Sequence, residues 1–149
     1  MIEMGESNNH KVESFFLSNF SIDRLFDRIE RTDYVFLYYI RYCEEQNQSS
    51  RVYLADLAQV MNIKMPQLSK SIEMLQGRGY VTWKTDHELG KTYVEITPRA
   101  SELMVEIRRR MEDCYARIKE EIGEEELERT AQTMRRVSEI VRDSTQAAE

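Results

Sequence analysis

A short run of side chains in the middle of this chain is suited to recognition rather than to reaction. Around the apolar residues Leu68, Ile72 and Leu75, which recur at helical spacing, stand Gln67, Ser69, Lys70 and Ser71, with Met65 just ahead of them. An inward apolar stripe leaves those polar groups facing out. Their chemistry matches nucleic-acid groups: a carboxamide suits an adenine edge, an ammonium suits guanine or a phosphate, and a hydroxyl serves either. Arg51, Arg78, Lys84 and Lys91 flank the segment and add cations of the kind that meet phosphate, although isolated surface cations often do nothing specific.

A second cluster is aromatic. Tyr34, Tyr38, Tyr39 and Tyr42 crowd one segment that also holds Arg41 and Cys43, with Phe15 and Phe16 upstream and Tyr115 far downstream. Phe16, Tyr38, Tyr39, Arg41, Tyr42 and Tyr115 together have the makings of an amphipathic lining for a small aromatic or acyl carboxylate. Packing is the commoner use of such residues, since tyrosine fills half-wet interfaces without any ligand. Groups for catalysis do not assemble: there is no glycine-rich phosphate loop, no paired nucleophile and base, and no HExxH, so an enzyme is not expected. His10 and His87 are too few and too distant for a metal site, and no cofactor is expected. Cys43 and Cys114 form no CxxC pair and read as reduced thiols on apolar helix faces, a setting in which thiols are usually inert.

The elements that must position these groups follow from periodicity. Phe16, Phe20, Leu25, Phe26 and Ile29 suggest a first helix between His10 and Arg31, irregular near Ser18 and Asn19. Asp33 is placed to cap a second helix reaching about Gln46, ended by the polar stretch NQSS. A short helix from Leu54 to Met61 turns its Leu57, Ala58 and Met61 inward, and Asn62 offers the left-handed conformation for a tight turn into the next helix, with Pro66 in its first turn. After Gly77 and Gly79, the alternating runs Tyr80 to Thr85 and Tyr93 to Thr97 read as a hairpin whose tip is the polar stretch from Asp86 to Lys91. Thr97 then caps a long amphipathic helix with Pro98 first and a stripe from Ala100 to Ile118. Beyond a break at Gly123, a last helix shows Leu127, Ala131, Met134, Val137 and Val141 on one face.

The whole chain has 149 residues, 41% hydrophobic and 32% charged, with only 5 Gly and 2 Pro. That composition supports one folded domain built mainly of helix and excludes both a disordered tail and a turn-rich sandwich. The longest apolar run, from Tyr34 to Ile40, is too short for a membrane span, and the first residues lack the build of a secretory signal, so the expected location is the cytoplasm, with no membrane partner. The net charge of −6 denies the chain a general basic footprint. From Arg51 to Arg99, however, seven basic residues face five acidic ones, while the flanks hold fourteen basic against twenty-two acidic. A mildly basic module between acidic arms predicts modest, strongly salt-dependent DNA affinity.

The order helix, helix, tight turn, helix, hairpin is that of a winged helix-turn-helix, so the expected fold is mainly α with a small β-hairpin wing and long N- and C-terminal helices. The chain resembles the MarR family of bacterial transcription regulators over almost its whole length. The resemblance is carried by Leu54-Ala55-Asp56-Leu57-Ala58 before the turn, by Leu68-Ser69-Lys70-Ser71-Ile72 after it, by Leu75-Gln76-Gly77-Arg78-Gly79-Tyr80-Val81, and by Ile96-Thr97 closing the hairpin. It implies an obligate homodimer with interlocking terminal helices, a palindromic operator in double-stranded DNA, and often repression relieved by a small ligand or oxidant. One departure is that the wing, Asp86-His87-Glu88-Leu89-Gly90-Lys91, lacks the arginine that the family usually carries there.

The organisation expected on this basis is an N-terminal helix over 1–32, a winged DNA-binding region over 33–97 and dimerising helices over 98–149. Ile107, Met111, Ile118, Met134 and Val137 are the expected dimer contacts, because the terminal stripes exceed what one small core can cover. The expected function is a ligand-relieved repressor. The alternative is a winged protein-interaction module that has lost operator binding, suggested by the acidic balance and the missing wing arginine.

Overall fold

The computed structural model describes residues 8–19 and 26–146, and side-chain surroundings for 11–17 and 26–146. Phe20, Leu25 and the imidazole of His10 lie outside the described set. The elements are α1 (Asn8–Asn19), α2 (Arg31–Asn47), β1 (Val52–Tyr53), α3 (Leu54–Met61), α4 (Met65–Gly77), β2 (Val81–Asp86), β3 (Lys91–Ile96), α5 (Pro98–Ile122) and α6 (Glu124–Gln146). They form two compact units, with the division inside α5 after Ile107.

The first unit contains α2 through β3 and the start of α5. Leu57 and Ala58 of α3 meet the Leu68, Ile72 and Leu75 face of α4, and all five are buried. Between the helices Asn62 takes the left-handed conformation (φ 54°), its N–H bonding back to Ala58 and Gln59, while the Ile63 N–H reaches the Ala58 carbonyl at 3.1 Å. This pairing satisfies carbonyls that a helix end would otherwise orphan, and Asn tolerates the conformation better than most residues.

Gly77 remains inside α4, and it is Gly79 (φ 81°) that turns the chain toward β2; a Cβ there would stand 3.3 Å from the Arg99 guanidinium. The sheet has three antiparallel strands in the order β1-β3-β2, so the expected hairpin gains an edge strand. Val52 pairs with Val94, which also faces Trp83, putting these three on the core side of the sheet. Tyr53, Tyr93, Lys84, Asp86 and Lys91 share the opposite face. Thr97 caps α5 as expected: its hydroxyl accepts the Ala100 N–H at 3.2 Å and donates to the Gly79 carbonyl at 2.7 Å, pinning the helix start to the turn before β2.

Two expectations about the N-terminal helices are corrected. Phe26 and Ile29 do not extend the first helix, since residues 27–29 form bends, although Ile29 is still buried. Asp33 does not cap α2. Glu30 holds the cap position, and Asp33 lies in the first turn with its carboxylate turned to Arg78. An acidic residue remains favourable there because of the helix dipole.

The second unit contains α1, the rest of α5, and α6. Phe15 packs edge-to-face on Tyr115 at 5.4 Å between ring centres, and the buried Glu13 pairs with Arg108 at 3.5 Å. Gly123 (φ 94°) ends α5 through its N–H to Lys119 and opens α6 by accepting the Leu127 N–H at 3.1 Å. One residue thus serves both helix ends.

Candidate nucleic-acid interface

The burial of Leu68, Ile72 and Leu75 fixes which side of α4 faces solvent. Gln67, Lys70 and Met65 are exposed, Ser69 and Ser71 half-buried. Gln67, Lys70 and Met74 follow at i, i+3 and i+7 and make one outward line. Lys64 and Lys70 are exposed with no acidic partner among the described residues. Their charge is therefore available to an external anion.

The hairpin is held to α4 and to β1 by side chains. Gln76 Oε1 accepts the Trp83 N–H at 2.9 Å, tying the last turn of α4 to β2. At the tip, Asp86 Oδ1 accepts the N–H groups of Glu88 (3.0 Å) and Leu89 (3.1 Å), and its Oδ2 accepts the Tyr53 hydroxyl at 3.0 Å and pairs with Arg51 at 3.5 Å. The Leu89 N–H above all, with the Tyr53 hydroxyl next, holds the Asp86 carboxyl below the usual carboxylate range. Across the face, Arg51 stacks over Tyr93 at 4.8 Å and Lys91 lies over Tyr53 at 5.9 Å.

The nine residues picked out by sequence for nucleic acid thus differ in their engagements. Gln67, Ser69, Lys70, Ser71 and Met65 sit together on α4. Arg51 and Lys84 are each paired, Arg51 with Asp86 and Lys84 with Glu95 at 3.5 Å, and Lys91 leans on Tyr53. Arg78 is engaged by acids of its own chain. Its guanidinium bonds the buried Asp33 carboxylate and pairs with Glu30 at 3.6 Å, while its carbonyl accepts a hydrogen bond from Arg99 at 3.0 Å. Turning Arg78 toward phosphate would leave a buried carboxylate uncompensated, which is costly. Sequence reasoning did not single out Met74, an exposed apolar residue off the inward stripe.

The aromatic set is divided. Tyr38, Tyr39, Arg41 and Tyr42 belong to α2 in the first unit, Phe16 and Tyr115 to the second. Arg41 donates to Ser101 Oγ at 2.9 Å and contacts Glu44 at 3.2 Å, so a ligand carboxylate would compete with these partners. Phe16 and Tyr38 are buried within the chain. Burial and the nearby Asp56 and Glu44 carboxylates push the Cys43 thiol up to about 11, leaving it protonated and unreactive near neutrality, while Cys114 is half-buried.

Among the expected dimer contacts, Ile107 and Met111 are 2% and 0% exposed in the single chain. Ile118 is half-buried, whereas Met134 and Val137 on α6 are 44% and 46% exposed. Among the described residues no three His, Cys, Asp or Glu side chains gather as metal ligands, and no helix is long and apolar enough to cross a membrane.

No family model matches the sequence, and no curated protein is similar to it at a significant level. Solved structures are. A Staphylococcus aureus MarR in complex with salicylate and kanamycin aligns at TM-score 0.60 and 15% identity, over 80% of this chain and 79% of that one. A mutant Escherichia coli MarR complexed with operator DNA aligns at 0.57 and 13% identity, over 87% and 85%. The adhesin competence repressor AdcR of Streptococcus pyogenes aligns at 0.53 and 20% identity, over 87% and 91%. The fold of this chain, with six helices and a three-stranded antiparallel sheet among the described residues, is the winged helix-turn-helix fold of these MarR-family structures.

Proposed function

We propose that this chain is a sequence-specific DNA-binding transcriptional regulator that acts as a homodimer on a two-fold symmetric operator. The observation that carries the reading is α4 itself: its inward face is sealed by Leu68, Ile72 and Leu75, while Gln67 and Lys70 stand exposed with no acidic partner among the described residues. A helix after a tight turn, so presented, is the element that enters the major groove in helix-turn-helix proteins. The operator-bound relative of like fold supports this reading. Titrating genomic fragments at two salt concentrations tests it. Nanomolar, salt-sensitive and sequence-selective binding is expected, and equal, weak binding to all fragments would overturn it.

Dimerisation through α6, with Met134 and Val137 in the contact, supplies the two half-site readers that such an operator requires. Repression, relieved by an aromatic or acyl carboxylate binding beside Tyr38, Tyr39, Tyr42 and Arg41, is the finer part of the reading. The salicylate complex of the S. aureus relative supports it. Salicylate or a fatty carboxylate is expected to raise the melting temperature and weaken DNA binding, and Tyr38→Ala to remove both effects. Failure of both shifts across a panel of carboxylates would overturn that part alone.

The alternative, a winged protein-interaction module, draws on one observation: Arg51 and Lys84 on the wing are neutralised by Asp86 and Glu95. The same salt titration separates the two.

A further inference from the structure

The far end of α4 carries no available cation. Beyond Lys70 the outward and lateral positions are Glu73, Met74 and Gln76, followed by Arg78. Gln76 is engaged with the Trp83 backbone and Arg78 with Asp33, and Glu73 repels phosphate. Met74 remains. It is 49% exposed, one turn beyond Lys70 on the line that starts at Gln67, whereas the other exposed methionine of this helix, Met65, lies about half a turn around from that line.

A long, flexible apolar side chain on a base-reading line has one apolar feature of the major groove to meet, the C5-methyl of thymine. We propose that Met74 is a specificity-determining residue that reads a thymine methyl in the operator, by apolar contact and not by hydrogen bonding. The inference rests on the DNA-binding reading above and adds a base identity to it. Geometry also sets where that thymine stands. Seven residues of helix separate Gln67 from Met74, a rise of about 10.5 Å, which spans at most about three base pairs at 3.4 Å each. The methyl should therefore sit within about three base pairs of the base that Gln67 reads.

The test uses the whole 149-residue chain and a duplex that this chain selects from genomic fragments. Each thymine is replaced in turn by deoxyuridine, which lacks only the methyl group, and binding is followed by fluorescence anisotropy. One replacement, within about three base pairs of the position where Gln67→Ala relaxes base preference, should weaken wild-type binding about fourfold, the factor for one buried methyl group. The same replacement should cost nothing with Met74→Ala and should keep most of its effect with Met74→Leu. An unchanged melting temperature and unchanged emission from Trp83, the single tryptophan, establish that both variants are folded. Equal deoxyuridine effects in wild type and Met74→Ala, or none in either, would overturn the proposal while leaving DNA binding intact. Failure of the wild-type chain to select any duplex would overturn the DNA-binding reading and this proposal with it.

Discussion

α5 and α6 carry the same kind of apolar stripe and meet opposite fates. On α5, Ala100, Leu103, Met104, Ile107 and Met111 are all buried within the single chain, while on α6 only Leu127 is, and Met134, Val137, Ile140 and Val141 stand in solvent. Periodicity reports that a helix has a face to hide and is silent on what hides it. Covered stripes stabilise the chain itself, whereas bare ones of this length are surfaces for another molecule. The basic residues divide likewise: Arg51, Arg78 and Lys84 are held by acids of their own chain, and among the described residues Lys64 and Lys70 are not.

The sharpest way to break the first contrast is to truncate one methionine from each helix. Met111→Ala should cost about 2–5 kcal/mol of stability at any protein concentration, because it empties a closed core. Met134→Ala should leave dilute protein almost unchanged and lower the melting temperature only where dimer forms. Denaturant curves at two protein concentrations distinguish them, and equal losses in both would erase the distinction. Met134→Glu carries the contrast further: sedimentation should report a folded monomer, with the concentration dependence of the melting temperature gone.

The second contrast is sharpened by pairing Lys70 with Arg78. Lys70→Ala should weaken operator binding by about 1–3 kcal/mol and reduce the salt slope by about one, with stability unchanged. Arg78→Ala should instead lower the melting temperature, by about 5 °C, and leave the salt slope alone. A changed slope for Arg78→Ala would return it to the DNA-contacting set.

The smallest expected effect concerns the wing. Asp86 has its carboxyl lowered by hydrogen bonds that exist only in the folded hairpin, so its contribution is fully present above the ordinary aspartate value and is lost as pH falls through the lowered one. The Leu89 amide signal should shift as the pH drops below about 3.9, with the tip loosening while α4 stays intact. Asp86→Asn should abolish that transition. A Leu89 signal indifferent to pH in the wild type would remove Asp86 from its role at the tip.

Much of this protein was legible before any coordinate. The Leu68, Ile72 and Leu75 spacing announced α4 and its outward polar set, Asn62 announced the turn, and Thr97 with Pro98 announced the start of α5, because caps, turns and amphipathic faces are written over a few neighbouring residues. β1 was not legible: two residues are too few for any alternation, and Val52 becomes a strand only because Val94 lies opposite. Nor could sequence tell that Asp33 would abandon a cap for Arg78, 45 positions away, or that Arg51 and Tyr53 would hold Asp86. The sequence by itself determined which residues are apolar, charged or tolerant of special backbone, and hence the elements and their inward faces. Only tertiary structure decided which cation is neutralised and which stripe is covered. Those outcomes depend on partners distant along the chain, whose approach is set by the packing of whole elements and leaves no mark in local periodicity.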